Sequence, residues 1–71
     1  MITIGVDAHK RVHVVVAVDE AGREIAHWRG ANSVEGWQHL AQWAATLAET
    51  VRWGIAGAWN DGRGLAQYLL C

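Results

Sequence analysis

The sequence predicts a small α/β domain, a mixed sheet in the order β-β-β-α-β-α with three antiparallel strands and a fourth parallel to the first. Three observations predict it. Two β-branched apolar runs, residues 2–8 and 11–19, are joined by only His9 and Lys10, a link short enough for nothing but an antiparallel hairpin. An amphipathic stretch over 33–49 separates a third run, 23–30, from a fourth, 51–57. A strand-helix-strand crossover of that kind brings parallel pairing, here beside the first strand. At 71 residues the chain holds at most one domain, close to the lower size limit for a self-sufficient core.

The elements follow in order. Ile2-Thr3-Ile4-Gly5-Val6-Asp7-Ala8 reads as a strand carrying one acid near its end. Arg11 through Asp19 is almost continuously apolar, which suits a central strand covered on both faces. Gly22, in the turn Glu20-Ala21-Gly22, supplies the positive φ that many hairpin loops need. Residues 23–30 alternate partly between polar and apolar, as an exposed edge strand does. The helix over 33–49 is capped by Asn32 or Ser33, with Glu35 at the positive end of the dipole. Trp37, Leu40, Ala41, Ala44, Leu47 and Ala48 recur at three- and four-residue spacing and form its buried stripe, while Gly36 weakens the first turn slightly. After the fourth strand, Ala58-Trp59-Asn60-Asp61 leads into a last helix over 62–71 capped by Asn60 or Asp61.

Composition excludes several classes. A net charge of −1 with scattered basic residues gives no electrostatic footprint for nucleic acid from this chain alone. The single Cys71 excludes a disulfide framework and a zinc site built on cysteine pairs. It has no neighbouring base to activate it. The amino-terminus lacks the basic region of a signal peptide and the apolar runs are too short to span a bilayer, so the default location is the cytoplasm. Five tryptophans with no phenylalanine are spread along the chain rather than clustered, which points to buried area, or to area awaiting burial by an absent partner surface, rather than to a base-stacking platform.

Asp7 is the candidate for chemistry. A carboxylate on a buried strand costs several kcal/mol unless a positive partner meets it, which makes it a candidate metal ligand. Parallel pairing of the first and fourth strands sets the carboxyl ends of both over one cleft, where paired acids serve a two-metal phosphoryl-transfer site. The fourth strand ends on Ala56, which offers no ligand, and Asp61 in the following loop is equally explained as a helix cap. Lys10 and Arg11 are candidates for contact with a phosphate, and Arg63 at the start of the last helix is in the same category. His9 and His13 lie on a hairpin link and a strand, where their side chains need not converge on a metal. His27 and His39 read as surface or half-buried residues.

Gly5-Val6-Asp7-Ala8-His9-Lys10, followed by an apolar strand closing on Val18-Asp19 and by the Gly22 turn, resembles the amino-terminal RuvC-like domain of the DEDD insertion-sequence transposases. Gly54-Ile55-Ala56-Gly57 leading to Gly62-Arg63-Gly64-Leu65-Ala66-Gln67-Tyr68-Leu69 resembles that family's second motif, a strand ending in Glu-Gly before a Gly-containing loop and helix. The resemblance covers essentially the whole chain and only the opening part of a full family member. It implies a ribonuclease H-like fold, Mg²⁺-dependent DNA cleavage and strand joining in transposition, a guide RNA that selects DNA sites, and an oligomeric assembly. Asp7 matches the family's first catalytic Asp, a metal ligand. The family's Glu falls on Ala56, so its role does not carry over. Two later Asp residues and a carboxy-terminal domain with a nucleophilic Ser lie beyond Cys71, so residues 1–71 are expected to be an incomplete part of the domain. With three of the four acids absent, ion binding and catalysis are expected to be lost.

Two other readings compete. Actin-like ATPase and sugar-kinase lobes also open with Ile-Gly-x-Asp on a hairpin, but they need a small, Gly- and Ser/Thr-rich tip that Ala8-His9-Lys10 does not provide. A non-catalytic interaction module would use exposed tryptophans as its interface.

Overall fold

A computed structural model describes residues 1–70 of the protein. Strands β1 (Ile2–Ala8), β2 (Val12–Val18) and β3 (Glu24–Ala31), helix α1 (Val34–Leu47), strand β4 (Val51–Ala56) and helix α2 (Arg63–Leu70) follow one another as the sequence predicts. The four strands form one sheet in the order β3-β2-β1-β4. β1 and β2, and β2 and β3, pair antiparallel. β4 pairs parallel to β1. Cys71, which the sequence places at the end of the last helix without nucleophilic context, lies outside the described residues.

Alternation along the strands decides which side chains form the core. Ile4 and Val6 of β1 and Val15 and Ala17 of β2 are buried against Leu40 and Ala44 of α1 and Leu65 of α2. Their neighbours in sequence point to the opposite face. That face is open: Val14 is exposed, and Arg52, Gly54 and Ala56 of β4 are exposed as well. The expectation that β2 is covered on both faces is therefore corrected. β2 is central within the sheet, but both helices pack on one side of it, and its long apolar run reflects β-branched propensity as much as burial.

The local chemistry of the turns accounts for the connections. His9 N–H donates to the Val12 carbonyl (3.0 Å) and closes the β1–β2 link. Asp19 holds the next turn, its Oδ1 accepting from the N–H groups of Ala21 (2.9 Å) and Arg23 (3.0 Å), with Gly22 at φ 82°. Of the two candidate caps for α1, Ser33 is the one used: its Oγ accepts from Gly36 N–H (3.2 Å). The helix ends at Leu47, earlier than the predicted 49, because Ala48 is already extended (φ −166°, ψ 157°). For α2 neither Asn60 nor Asp61 is the cap. The Gly62 carbonyl accepts the first helical bond, from Ala66 N–H (2.9 Å), and the residue before the helix has no side chain to offer.

Gly36 is more than a weak helix former. A Cβ at this position would lie 1.9 Å from the Ala31 carbonyl oxygen, so the first turn of α1 rests directly on the end of β3. Gly36→Ala is expected to destabilise the fold by about 1–3 kcal/mol through overpacking against backbone that cannot yield. Denaturant unfolding of the two proteins checks this. Equal midpoints would show that the β3–α1 junction has slack.

Candidate functional site

The register of the sheet builds the site. Asp7 pairs with Val14 of β2 on one side and with Ala56 of β4 on the other, and Val14 pairs in turn with Arg29 of β3. All four point to the open face. Neighbouring strands lie about 4.8 Å apart, so position 56 stands one strand spacing from Asp7, at the carboxyl ends of two parallel strands. A shallow trough of about 470 Å³ runs over this face, lined by Asp7, Gly5, Val14, Val16, Gly54 and Ala56.

Asp7 is exposed, its side chain 70% accessible. The premise that it is a buried carboxylate in need of rescue is thus corrected: the acid lies on the face that the helices leave open, where water solvates it. His9 Nε2 lies 3.2 Å from Asp7 Oδ2. Both side chains are largely solvated, so the contact orients the imidazole and contributes little stability. His9 and His13 do not converge, as the sequence implied. His9 turns to Asp7, whereas His13 points into the protein and is fully buried. Asp61 stays in the loop after β4. Among the described residues no group of three or more His, Cys, Asp or Glu side chains could hold a metal ion. Lys10 and Arg11 are exposed at the hairpin tip next to Asp7. Arg63 is exposed at the start of α2, and His27 and His39 are on the surface.

Asn32 reads from the sequence only as a candidate helix cap. The structure gives it a larger part. Its Nδ2 donates to the carbonyl oxygens of His9 (3.3 Å), Lys10 (3.1 Å) and Asp61 (3.0 Å), and its Oδ1 accepts from Trp37 Nε1 (3.1 Å). Its backbone N–H donates to Arg11 (2.9 Å). One amide therefore ties the hairpin that follows Asp7 to the loop that follows Ala56. An Asn placed just before a Ser cap, at a strand-to-helix corner, is the only signal the sequence offers for this.

His13 lies beneath the same loops. It pairs with Ala8 and Gly30 in the sheet, and neither ring nitrogen has a hydrogen-bond partner among the described residues. Burial pushes its pKa below the ordinary 6.5, outweighing the opposing influence of the Val12 backbone, the Asn32 side chain and the Asp61 carboxylate, while His9 adds to the lowering. The loop beyond Ala56 turns at Gly57, whose φ of 72° lies in the left-handed region that side chains other than glycine rarely adopt.

A mixed sheet of this order, with an acid near the end of the first strand beside a parallel fourth strand, is consistent with a ribonuclease H-like fold. The family model described as Transposase, the DEDD type of IS110, matches residues 4–70. The chain belongs to this DEDD transposase family. No curated protein matches it. Among the described residues no helix is long and apolar enough to cross a membrane.

Two outcomes are expected. Replacing Asn32 by Asp keeps the acceptor for Trp37 but sets a negative charge against the three carbonyl oxygens that the amide now serves. Stability should fall by about 1–3 kcal/mol, with faster hydrogen exchange at His9 and Gly62, and unchanged exchange there would contradict the clamp. The sign for His13 follows from its lowered pKa. The unfolded chain takes up a proton first as pH falls through about 6.5, so the stability of neutral His13 is present above that pH and lost below it. Denaturant unfolding at about pH 7.5 and about pH 5.5 should show the loss, and His13→Val should flatten it.

Proposed function

We propose that this chain forms the opening part of the DNA-processing domain of a transposase, with Asp7 as its first catalytic acid and a ligand for divalent metal. The observation that carries the reading is the register: Asp7 and position 56 stand side by side on the open face, at the two strand ends where the resemblance sets an Asp and a Glu. A divalent ion bound there would act as a Lewis acid toward the phosphate oxygens of a DNA strand.

The residues present do not fit such a centre by themselves. Ala56 has no donor atom, and one exposed carboxylate with a neighbouring imidazole holds Mg²⁺ poorly, since this hard cation binds through oxygen and keeps its waters unless several carboxylates replace them. No cleavage step is assigned to the chain on its own. In this reading its strand-transfer activity is lost at position 56, and Lys10 and Arg11 remain as phosphate contacts beside Asp7. Guide-RNA selection of the DNA site and oligomeric assembly enter through the resemblance to the family.

The test restores the missing acid. Ala56→Glu is expected to raise the affinity for Mn²⁺, used as a spectroscopic substitute for Mg²⁺, by about tenfold or more. Asp7→Asn in the same background should cancel the gain. Paramagnetic resonance of free Mn²⁺ reads the affinity directly, and an unchanged value in Ala56→Glu would overturn the assignment of this row as the metal site.

A further inference from the structure

The two edges of the sheet differ. β3, at one edge, presents Glu24, His27 and Arg29 as exposed residues, and its pairing with β2 slips at Ala17/Val18. Charges and an irregular register are the usual means by which an edge strand is blunted against further pairing. β4, at the other edge, has neither defence. Val51-Arg52-Trp53-Gly54-Ile55-Ala56 keeps a regular register along β1 and holds a single charge. Among the described residues no strand pairs with its outer side. Between this edge and the helices, Ala41, Ala45, Ala48, Val51, Trp53 and Leu69 line a largely apolar cleft of about 210 Å³.

Symmetry restricts how such an edge can pair with itself. A two-fold axis perpendicular to the sheet sets two copies of β4 antiparallel, one residue facing its own copy on the axis. Two centres, Trp53 and Gly54, keep most of the strand paired. With Trp53 on the axis, Arg52 stands opposite the partner's Gly54, and the two Arg52 side chains become diagonal neighbours of like charge. With Gly54 on the axis they are kept apart. Trp53 then faces the partner's Ile55, an aromatic to β-branched pair made twice, and Arg52 faces the partner's Ala56. Because Ala56 stands beside Asp7, the row across the open face runs Val14, Asp7, Ala56 and then the partner's Arg52. Asp7 and that arginine are two strand spacings apart, about 10 Å between backbones, with only the Ala56 methyl between them. A guanidinium on its long stem spans this gap. His9 touches Asp7 from the hairpin side and leaves the carboxylate largely accessible.

We propose that the chain pairs with a second copy of itself through β4, centred on Gly54, and that the partner's Arg52 meets Asp7 across Ala56. The ion pair recurs at both ends of the interface. With β3 blunted, only one edge is open to pairing, so association closes at a dimer instead of growing into a fibre. The proposal uses Asp7 as a charge and does not rest on the transposase reading.

Analytical ultracentrifugation of the full chain, at low salt and under reducing conditions, tests it. Dimers are expected. Monomers alone at concentrations up to about 1 mM, or species that grow without limit, would overturn the proposal. Arg52→Glu sets a carboxylate against Asp7 and should raise the dimer dissociation constant about tenfold or more, and Asp7→Lys in the same chain should restore it. A dimer indifferent to Arg52→Glu is not the one described. Gly54→Asp separates the two centres. A side chain there meets open space within one copy, but in the proposed pairing it faces its own copy on the axis, so association should weaken. Tighter association would set position 54 against Arg52, with Trp53 on the axis, and the contact with Asp7 would be refuted. Asp7, Arg52 and Gly54 are all exposed, and circular dichroism confirms that the variants fold.

Discussion

The amide of Asn32 is the constraint on which the geometry of the site depends. Three segments distant in sequence meet at this side chain: the hairpin after β1, the loop after β4 and the first turn of α1. Each of the two loops begins within a few residues of a position in the proposed site, Asp7 in one and Ala56 in the other. Strand pairing fixes the backbone of both positions, and each loop is closed by backbone hydrogen bonds of its own, but none of these holds one loop to the other. Asn32 joins the two at modest energetic gain, since each hydrogen bond to a partly solvated carbonyl contributes about 1 kcal/mol or less. What it adds is mutual position rather than stability.

His13 shows the opposite balance. Its side chain is buried under the two loops, and neither ring nitrogen has a hydrogen-bond partner among the described residues. Neutral imidazole is a tolerable core residue. The protonated ring is not, and the one carboxylate that favours it, Asp61, is in a loop rather than at the ring itself. The region that holds the two loops together thus contains both a polar clamp and a buried group sensitive to acid.

Most of the fold was legible in the sequence because it depends on local rules. Strand alternation, the Ser33 cap, the Gly22 turn and the short hairpin link, three residues (His9 to Arg11) where the sequence suggests two, each carry their own chemistry, and the parallel placement of β4 follows from the crossover. Site residues were legible in part. Asp7 and Ala56 could be placed in one row from topology alone. The exposure of Asp7 could not, because an apolar strand reads the same whether helices cover one face or two. Asn32 and Trp59, an exposed tryptophan, escaped for a related reason. An amide that bridges loops and an indole that faces water are set by tertiary geometry, and neither leaves a periodic trace. The cost of a side chain at Gly36 was likewise invisible, since it arises from the backbone of β3.

Strand alternation also divides the chain into two sets of residues that do not bear on each other. Ile4, Val6, Val15 and Ile55 answer to the helices, while Gly5, Asp7, Gly54 and Ala56, interleaved with them on the same ribbons, answer only to what lies over the open face. A side chain at position 56 can change without opening a cavity, stranding a partner or shifting a helix, since the residue there is exposed. The sheet acts as a partition between the packed core and the open face, so residues on the open face can change without disturbing the fold.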